Sequence, residues 1–160
     1  MNKGLFIILD GTLITTRSGL EFPLNSEDWK FTTSWEQVIK SAAEEGYKLV
    51  IVDNQLLVGE GIVSMHNFTN KDSKICEIIE KDLHLPINTI ITTYCYDEED
   101  DFMVKPNPGL LYSIAVEYDI ILPDSILIGN NDTDIEFTRR AGIRTYYSLE
   151  NVKNGNKVIR

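Results

Sequence analysis

Gly4-Leu5-Phe6-Ile7-Ile8-Leu9 is an apolar run that stops abruptly at Asp10-Gly11-Thr12. Such a run closed by a turn signal reads as a strand buried on both faces, the habit of parallel sheets. The pattern recurs in Lys48 to Val52, which ends at Asp53-Asn54-Gln55, and in Ser125 to Gly129, which ends at Asn130-Asn131-Asp132-Thr133-Asp134. Asn88 to Tyr94, rich in Thr and Ile, and Arg144 to Tyr147 read as two further strands. Between them lie stretches of helical period. Trp35, Val38, Ile39, Ala42 and Ala43 form one, with Ser34 as its N-cap and Gly46 as its stop. Ile75, Ile78, Ile79 and Leu83 form a second, ended by Pro86. Leu110, Leu111, Ile114, Ala115 and Tyr118 form a third, opened by Pro108. Ile135, Phe137, Thr138 and Ala141 form a fourth, closed by Gly142. β-branched residues on either side of Ser18-Gly19 predict a small hairpin flap over the end of the first strand.

Strands alternating with helices predict an α/β domain, doubly wound around a mainly parallel sheet. The length of 160 residues fits one domain, over 1–149, with 150–160 a polar, frayed C-terminal tail. No apolar run reaches the length of a membrane span. Met1-Asn2-Lys3 leads into the first strand without a signal-peptide pattern, so the expected setting is cytoplasmic or nuclear, not secreted. Cys76, Cys95, His66 and His84 lack metal-ligand spacing. The formal net charge of −10 opposes binding to a nucleic-acid backbone.

In such sheets ligands bind outside the carboxyl ends of the strands. Three strands end there in polar clusters: Asp10 with Thr12, Asp53 with Asn54, and Asn130 with Asp134. Asp10 and Thr12 are expected in the crevice and not in the core. Lys105, in Lys105-Pro106-Asn107-Pro108-Gly109, precedes a helix that belongs to the same edge. Arg17, in the flap, is a candidate for gripping an anion.

These motifs resemble the haloacid dehalogenase (HAD) superfamily along nearly the whole chain. Leu9 to Gly19, with Phe22-Pro23, Asp28-Trp29, Gly46 to Ile51 and Asn54-Gln55, resembles the phosphatase domain of polynucleotide kinase 3′-phosphatase. Histidinol-phosphate phosphatases are a related match through Lys105 to Gly109. The resemblance implies a Rossmann-like HAD fold without a large cap domain, Mg²⁺ as cofactor, and a polynucleotide substrate. It also implies an Asp nucleophile at the first position of D-x-D, an acid/base at the second, a phosphate-binding Thr or Ser in motif two, a Lys in motif three and metal-binding acids in motif four. Magnesium requires oxygen ligands in near-octahedral geometry and lets a carboxylate approach a phosphate.

The chain departs from that pattern. The nucleophile position is Ile8, the motif-two position is Asp53 and the first motif-four acid is Asn130. An alkyl group cannot attack phosphorus, a second carboxylate repels phosphate, and an amide is a neutral metal ligand. The acid/base position survives as Asp10. Thr12, Arg17, Asn54 and Lys105 remain as substrate-binding candidates, and Asp10, Asn130 and Asp134 remain as a degenerate metal set. Glu60 and the acidic block Asp97 to Asp101 place negative charge near the expected cleft. Two readings follow. One is a pseudophosphatase with a binding or regulatory role, its partner a phosphate-bearing ligand or a protein. The other is an active Mg²⁺-dependent phosphatase on 3′-phosphate DNA ends or a small phosphate ester, with Asp53 as substitute nucleophile.

Overall fold

In chain order the elements are β1 (Lys3–Ile8), β2 (Ile14–Thr15), β3 (Lys30–Phe31), α1 (Glu36–Glu44), β4 (Tyr47–Asn54), α2 (Met65–Asp82) and β5 (Ile90–Cys95). They continue with α3 (Gly109–Tyr118), β6 (Ile126–Gly129), α4 (Asp132–Ala141), β7 (Thr145–Ser148) and α5 (Leu149–Lys153). This computed structural model describes residues 1–21, 23–54, 65–82, 90–95 and 101–159, with backbone alone at 54, 65–70, 82, 90–95 and 101. Leu83, Pro86, Glu60 and residues 97–100 of the acidic block, which the sequence singles out, lie outside the described residues.

The apolar runs do form a parallel sheet, in the order β5-β4-β1-β6-β7. β1 is central, pairing Ile8 with Val52 on one side and Ile7 with Ile128 on the other. Successive side chains of a strand point to opposite faces. Leu5, Ile7, Leu9, Leu49 and Ile51 therefore enter one core layer with Ile39, Ile75 and Ile79. Phe6, Ile8, Val50 and Val52 enter the other with Leu111, Ile114 and Phe137. This two-layer burial explains why the strands read as continuous apolar runs instead of alternating ones.

The structure revises three local expectations. The flap is not a tight Ser18-Gly19 hairpin: β2 pairs antiparallel with β3, Ile14 opposite Phe31. Asp28 causes the difference. Its buried carboxylate accepts hydrogen bonds from Ser18 N (2.8 Å), Ser18 Oγ (2.7 Å) and Leu24 N (2.8 Å), folding the intervening chain into a stapled loop. Ser34 does not cap α1; Trp35 holds the N-cap position without a side-chain cap. The indole is buried and donates to Thr32 Oγ1 (3.2 Å), which fixes where the helix starts. The C-terminal segment is not a frayed tail. Ser148 and Asn151 form a capping box that starts α5, and Leu149, Val152, Val158 and Ile159 join the first core layer.

Gly129 ends β6 where α4 turns back. A Cβ there would lie 2.6 Å from Asp134 Cβ and 2.9 Å from Asp134 Oδ2. Gly129→Ala is expected to destabilise the fold by about 1–3 kcal/mol, because rigid backbone leaves no slack for the added methyl. A lower urea midpoint with unchanged slope would check this.

Candidate functional site at the carboxyl edge

The loop after β1 is closed by its own backbone. Gly11 N donates to Ile14 O (2.9 Å), Leu13 N to Ile8 O (3.0 Å) and Ile14 N to Leu9 O (3.0 Å). Gly11 takes φ of 81°, a conformation glycine adopts without strain. The turn turns Asp10 outward, its side chain 55% exposed, as expected for a crevice residue. Thr12, expected beside it, is instead fully buried, and its hydroxyl has no hydrogen-bond partner among the described residues. Ile8 lies 3% exposed inside the second core layer. The position that the resemblance assigns to the nucleophile is thus a packed hydrocarbon.

At the motif-four end, Asn131 caps α4 by accepting from Asp134 N (2.9 Å). Asp134 is 1% exposed. Its Oδ1 accepts from Lys105 Nζ (2.7 Å) and its Oδ2 from Asn130 N (2.9 Å), so both oxygens are engaged. The Asn130 side chain donates through Nδ2 to Gly11 O (2.9 Å). The sequence-predicted Lys105, Asn130 and Asp134 therefore meet at one edge, joined to the Asp10 loop through Gly11.

Asp53 follows Leu49 and Ile51 on the same face of β4, where it meets α2, and it is wholly buried. Sequence reasoning missed its neighbours. Lys71 and Asp72 precede Ile75 by four and three residues, so they extend the buried stripe of α2 by one turn. Both are buried, and Lys71 Nζ lies 3.6 Å from Asp10 Oδ1. The signal was present: two charged residues stand where the stripe calls for apolar ones.

Burial, followed by the charges of Asp10 and Asp72, holds the Asp53 carboxyl well above the usual carboxylate range, against the pull of Lys71. Asp72 is raised too, chiefly by burial, while its contact with Asp53 and the Lys71 charge oppose the rise. Both carboxyls are acceptors when ionised, so they bond only through a proton. That contact raises Asp53 and lowers Asp72.

Arg17 is exposed. It lines a cleft of about 630 Å³ with Ser26, Glu27, Trp29, Lys74 and Ile78. Asn54 ends β4 in register with Cys95, and its side chain lies outside the described residues.

A divalent cation fits these residues poorly. Ile8 offers carbon, Asn130 presents a donor to the Gly11 carbonyl, Asp134 already faces the Lys105 ammonium and Asp10 the Lys71 ammonium. Among the described residues no three His, Cys, Asp or Glu side chains converge to hold a metal ion.

A parallel sheet in this order, with acid, amide and lysine motifs at its carboxyl edge, defines a phosphatase-type HAD fold. Residues 6–133 match the Polynucleotide kinase 3 phosphatase family, and the chain belongs to that family within the HAD superfamily. A D-glycero-beta-D-manno-heptose-1,7-bisphosphate 7-phosphatase of Helicobacter pylori is 29% identical over 134 residues, 84% of this chain and 76% of its own length. An uncharacterised 20.8 kDa protein of Autographa californica nuclear polyhedrosis virus is 30% identical over 110 residues, 69% of this chain and 55% of its own. Among solved structures, D,D-heptose 1,7-bisphosphate phosphatase from B. bronchiseptica, complexed with magnesium and phosphate, superposes with a TM-score of 0.74. It is 17% identical and covers 99% of this chain and 88% of its own, a likeness of fold. A HAD-like protein of Mesorhizobium loti has a TM-score of 0.75 at 19% identity, with 99% and 90% covered.

The raised Asp53 carboxyl has a consequence for pH. An acid whose folded pKa exceeds its unfolded value, about 4, contributes full stability below that value and loses it as pH rises through the folded one. Asp53→Asn removes this loss. Its stability relative to wild type is expected to rise as pH is raised above about 4, measured by urea unfolding at several pH values.

Proposed function

We propose that this chain is a pseudophosphatase: a HAD phosphatase scaffold that has given up hydrolysis and serves in a binding or regulatory role. The observation that carries this reading is Ile8, a buried alkyl group at the nucleophile position. No covalent phosphoenzyme can form on an alkyl side chain, which has no lone pair to attack phosphorus, and the surrounding core gives water no approach. The disagreement between the residues and a divalent cation points the same way, since phosphoryl transfer depends on neutralising the phosphate's charge. Against Asp53 as substitute nucleophile weigh its complete burial and the rise in its pKa that burial causes, since attack requires an accessible carboxylate.

A binding role draws support from the cleft beside the flap. Arg17 and Lys74 supply two cations there and Trp29 an aromatic face, with Glu27 the one opposing charge among its lining residues. This chemistry suits a phosphate-bearing ligand of small size. Long polynucleotides suit it less, given the net charge of −10.

Hydrolysis decides the first half of the proposal. A 3′-phosphorylated oligonucleotide and a heptose 1,7-bisphosphate are each incubated with wild type and Asp10→Ala, with and without Mg²⁺. The expected result is phosphate release within about twofold of the Asp10→Ala background under every condition. Mg²⁺-dependent turnover that disappears in Asp10→Ala would overturn the pseudophosphatase reading. For the second half, inorganic phosphate is expected to raise the Tm of wild type but not of Arg17→Ala with Lys74→Ala, because a ligand specific for the native state stabilises it. Equal shifts in the two proteins would remove the cleft from the proposal.

A further inference from the structure

We infer that Lys71 is an internal cation for the Asp10–Asp53–Asp72 cluster, so that the protein itself balances the charge at this edge of the sheet without a divalent ion. The inference goes beyond the missing nucleophile and would hold whether or not any turnover remained.

A lysine side chain 7% exposed is rare, because taking an ammonium out of water is costly unless a counter-charge receives it. Here the receiving groups are on three separate elements. Asp10 comes from the loop after β1, Asp53 from the end of β4, and Asp72 from the residue next to Lys71 on α2. Asp10 Oδ1 is 3.6 Å from the ammonium. The Lys71 charge also acts on both Asp53 and Asp72, opposing the burial that would otherwise protonate them. Asp72 is 9% exposed, and neither of its oxygens accepts a hydrogen bond from an N–H or hydroxyl among the described residues. A carboxyl placed there requires either a proton or a cation close by.

Lys71 is the ammonium that these three carboxyls share, and Asp10 is the member of the cluster that reaches water. The neighbouring motif follows the same logic: Lys105 balances buried Asp134, and the Asn130 amide occupies the Gly11 carbonyl. The buried acids of this edge thus have a protein cation beside them, Lys71 for Asp53 and Asp72 and Lys105 for Asp134.

Lys71→Met tests the assignment by thermal unfolding in EDTA and in millimolar Mg²⁺. Wild type is expected to melt within about 1 °C in the two buffers, and Lys71→Arg, which keeps the charge, to behave alike. Lys71→Met is expected to melt several degrees lower in EDTA and to regain about 3 °C or more in Mg²⁺, an external cation then taking the place of the lost one. A wild type stabilised by Mg²⁺, or a Lys71→Met protein that melts like wild type and ignores Mg²⁺, would overturn the inference. If Lys71→Met does not fold, Lys71→Met with Asp53→Asn and Asp72→Asn removes the cation and the buried carboxyls together. Folding of that variant, with no response to Mg²⁺, supports the charge-balancing role. Its failure to fold, with the cation and the buried carboxyl charges removed together, would overturn the inference. Loss of the pseudophosphatase reading would appear separately, as turnover by wild type.

Discussion

β1 lies between β4 and β6, and every residue from Gly4 to Leu9 is buried. A strand enclosed on both faces has no side chain to spare along its length, so only its carboxyl end can carry chemistry. The remaining architecture serves that constraint. The two core layers fix the height at which β1 stops, the closed loop from Leu9 to Ile14 fixes the direction in which Asp10 leaves, and Gly129 lets Asp134 approach from the other side. Each fully buried Leu or Ile contributes on the order of 1.5–3 kcal/mol, so the sheet tolerates an edge that is electrostatically costly.

That edge carries its cost in an unusual place. Burying a charged pair returns little net stability, since desolvation offsets most of the Coulombic attraction. Lys71, Asp72 and Asp53 nevertheless occupy the end of an interface that Ile75, Ile79 and Ile51 fill with hydrocarbon. A Leu at residue 71 or 72 would be the cheaper choice for packing. The charged residues make physical sense as one set: with Asp53 fixed at the end of β4, a cation within reach lowers the cost of enclosing it and its neighbour Asp72.

The parallel sheet and its flanking helices were legible because burial on both faces leaves long apolar runs, as in Leu5 to Leu9 and Lys48 to Val52. Lys105, Asn130 and Asp134 were legible as one edge because each follows or precedes an element end. Thr12 was not, since an Asp-Gly-Thr turn gives no sign of which side chain faces inward; the inward direction comes from the backbone closure to Leu9 and Ile8. The C-terminal segment was misread for a related reason. Val152, Val158 and Ile159 are too widely spaced for a periodic signal, and their burial depends on where α5 delivers them. Lys71 and Asp72 escaped because charge on a helix ordinarily marks its solvated face, and only the partner at Asp53 reveals the exception.

Ile8 and Lys71 also bear on each other. A carboxylate restored at residue 8 would enter a layer formed by Phe6, Val52 and Phe137 without a hydrogen-bonding partner from that layer. Burying it costs several kcal/mol unless a cation neutralises it. In an active metal-dependent site that cation is the divalent ion; here the nearby ammoniums are already committed to Asp10 and Asp134. An apolar residue 8 adds no charge for a cation to neutralise, and ammoniums already paired with other acids leave none to receive one there. Ile8→Asp alone would therefore leave a charge without its counterpart. On the pseudophosphatase reading proposed above, packing and electrostatics act together, beyond the loss of one reactive group.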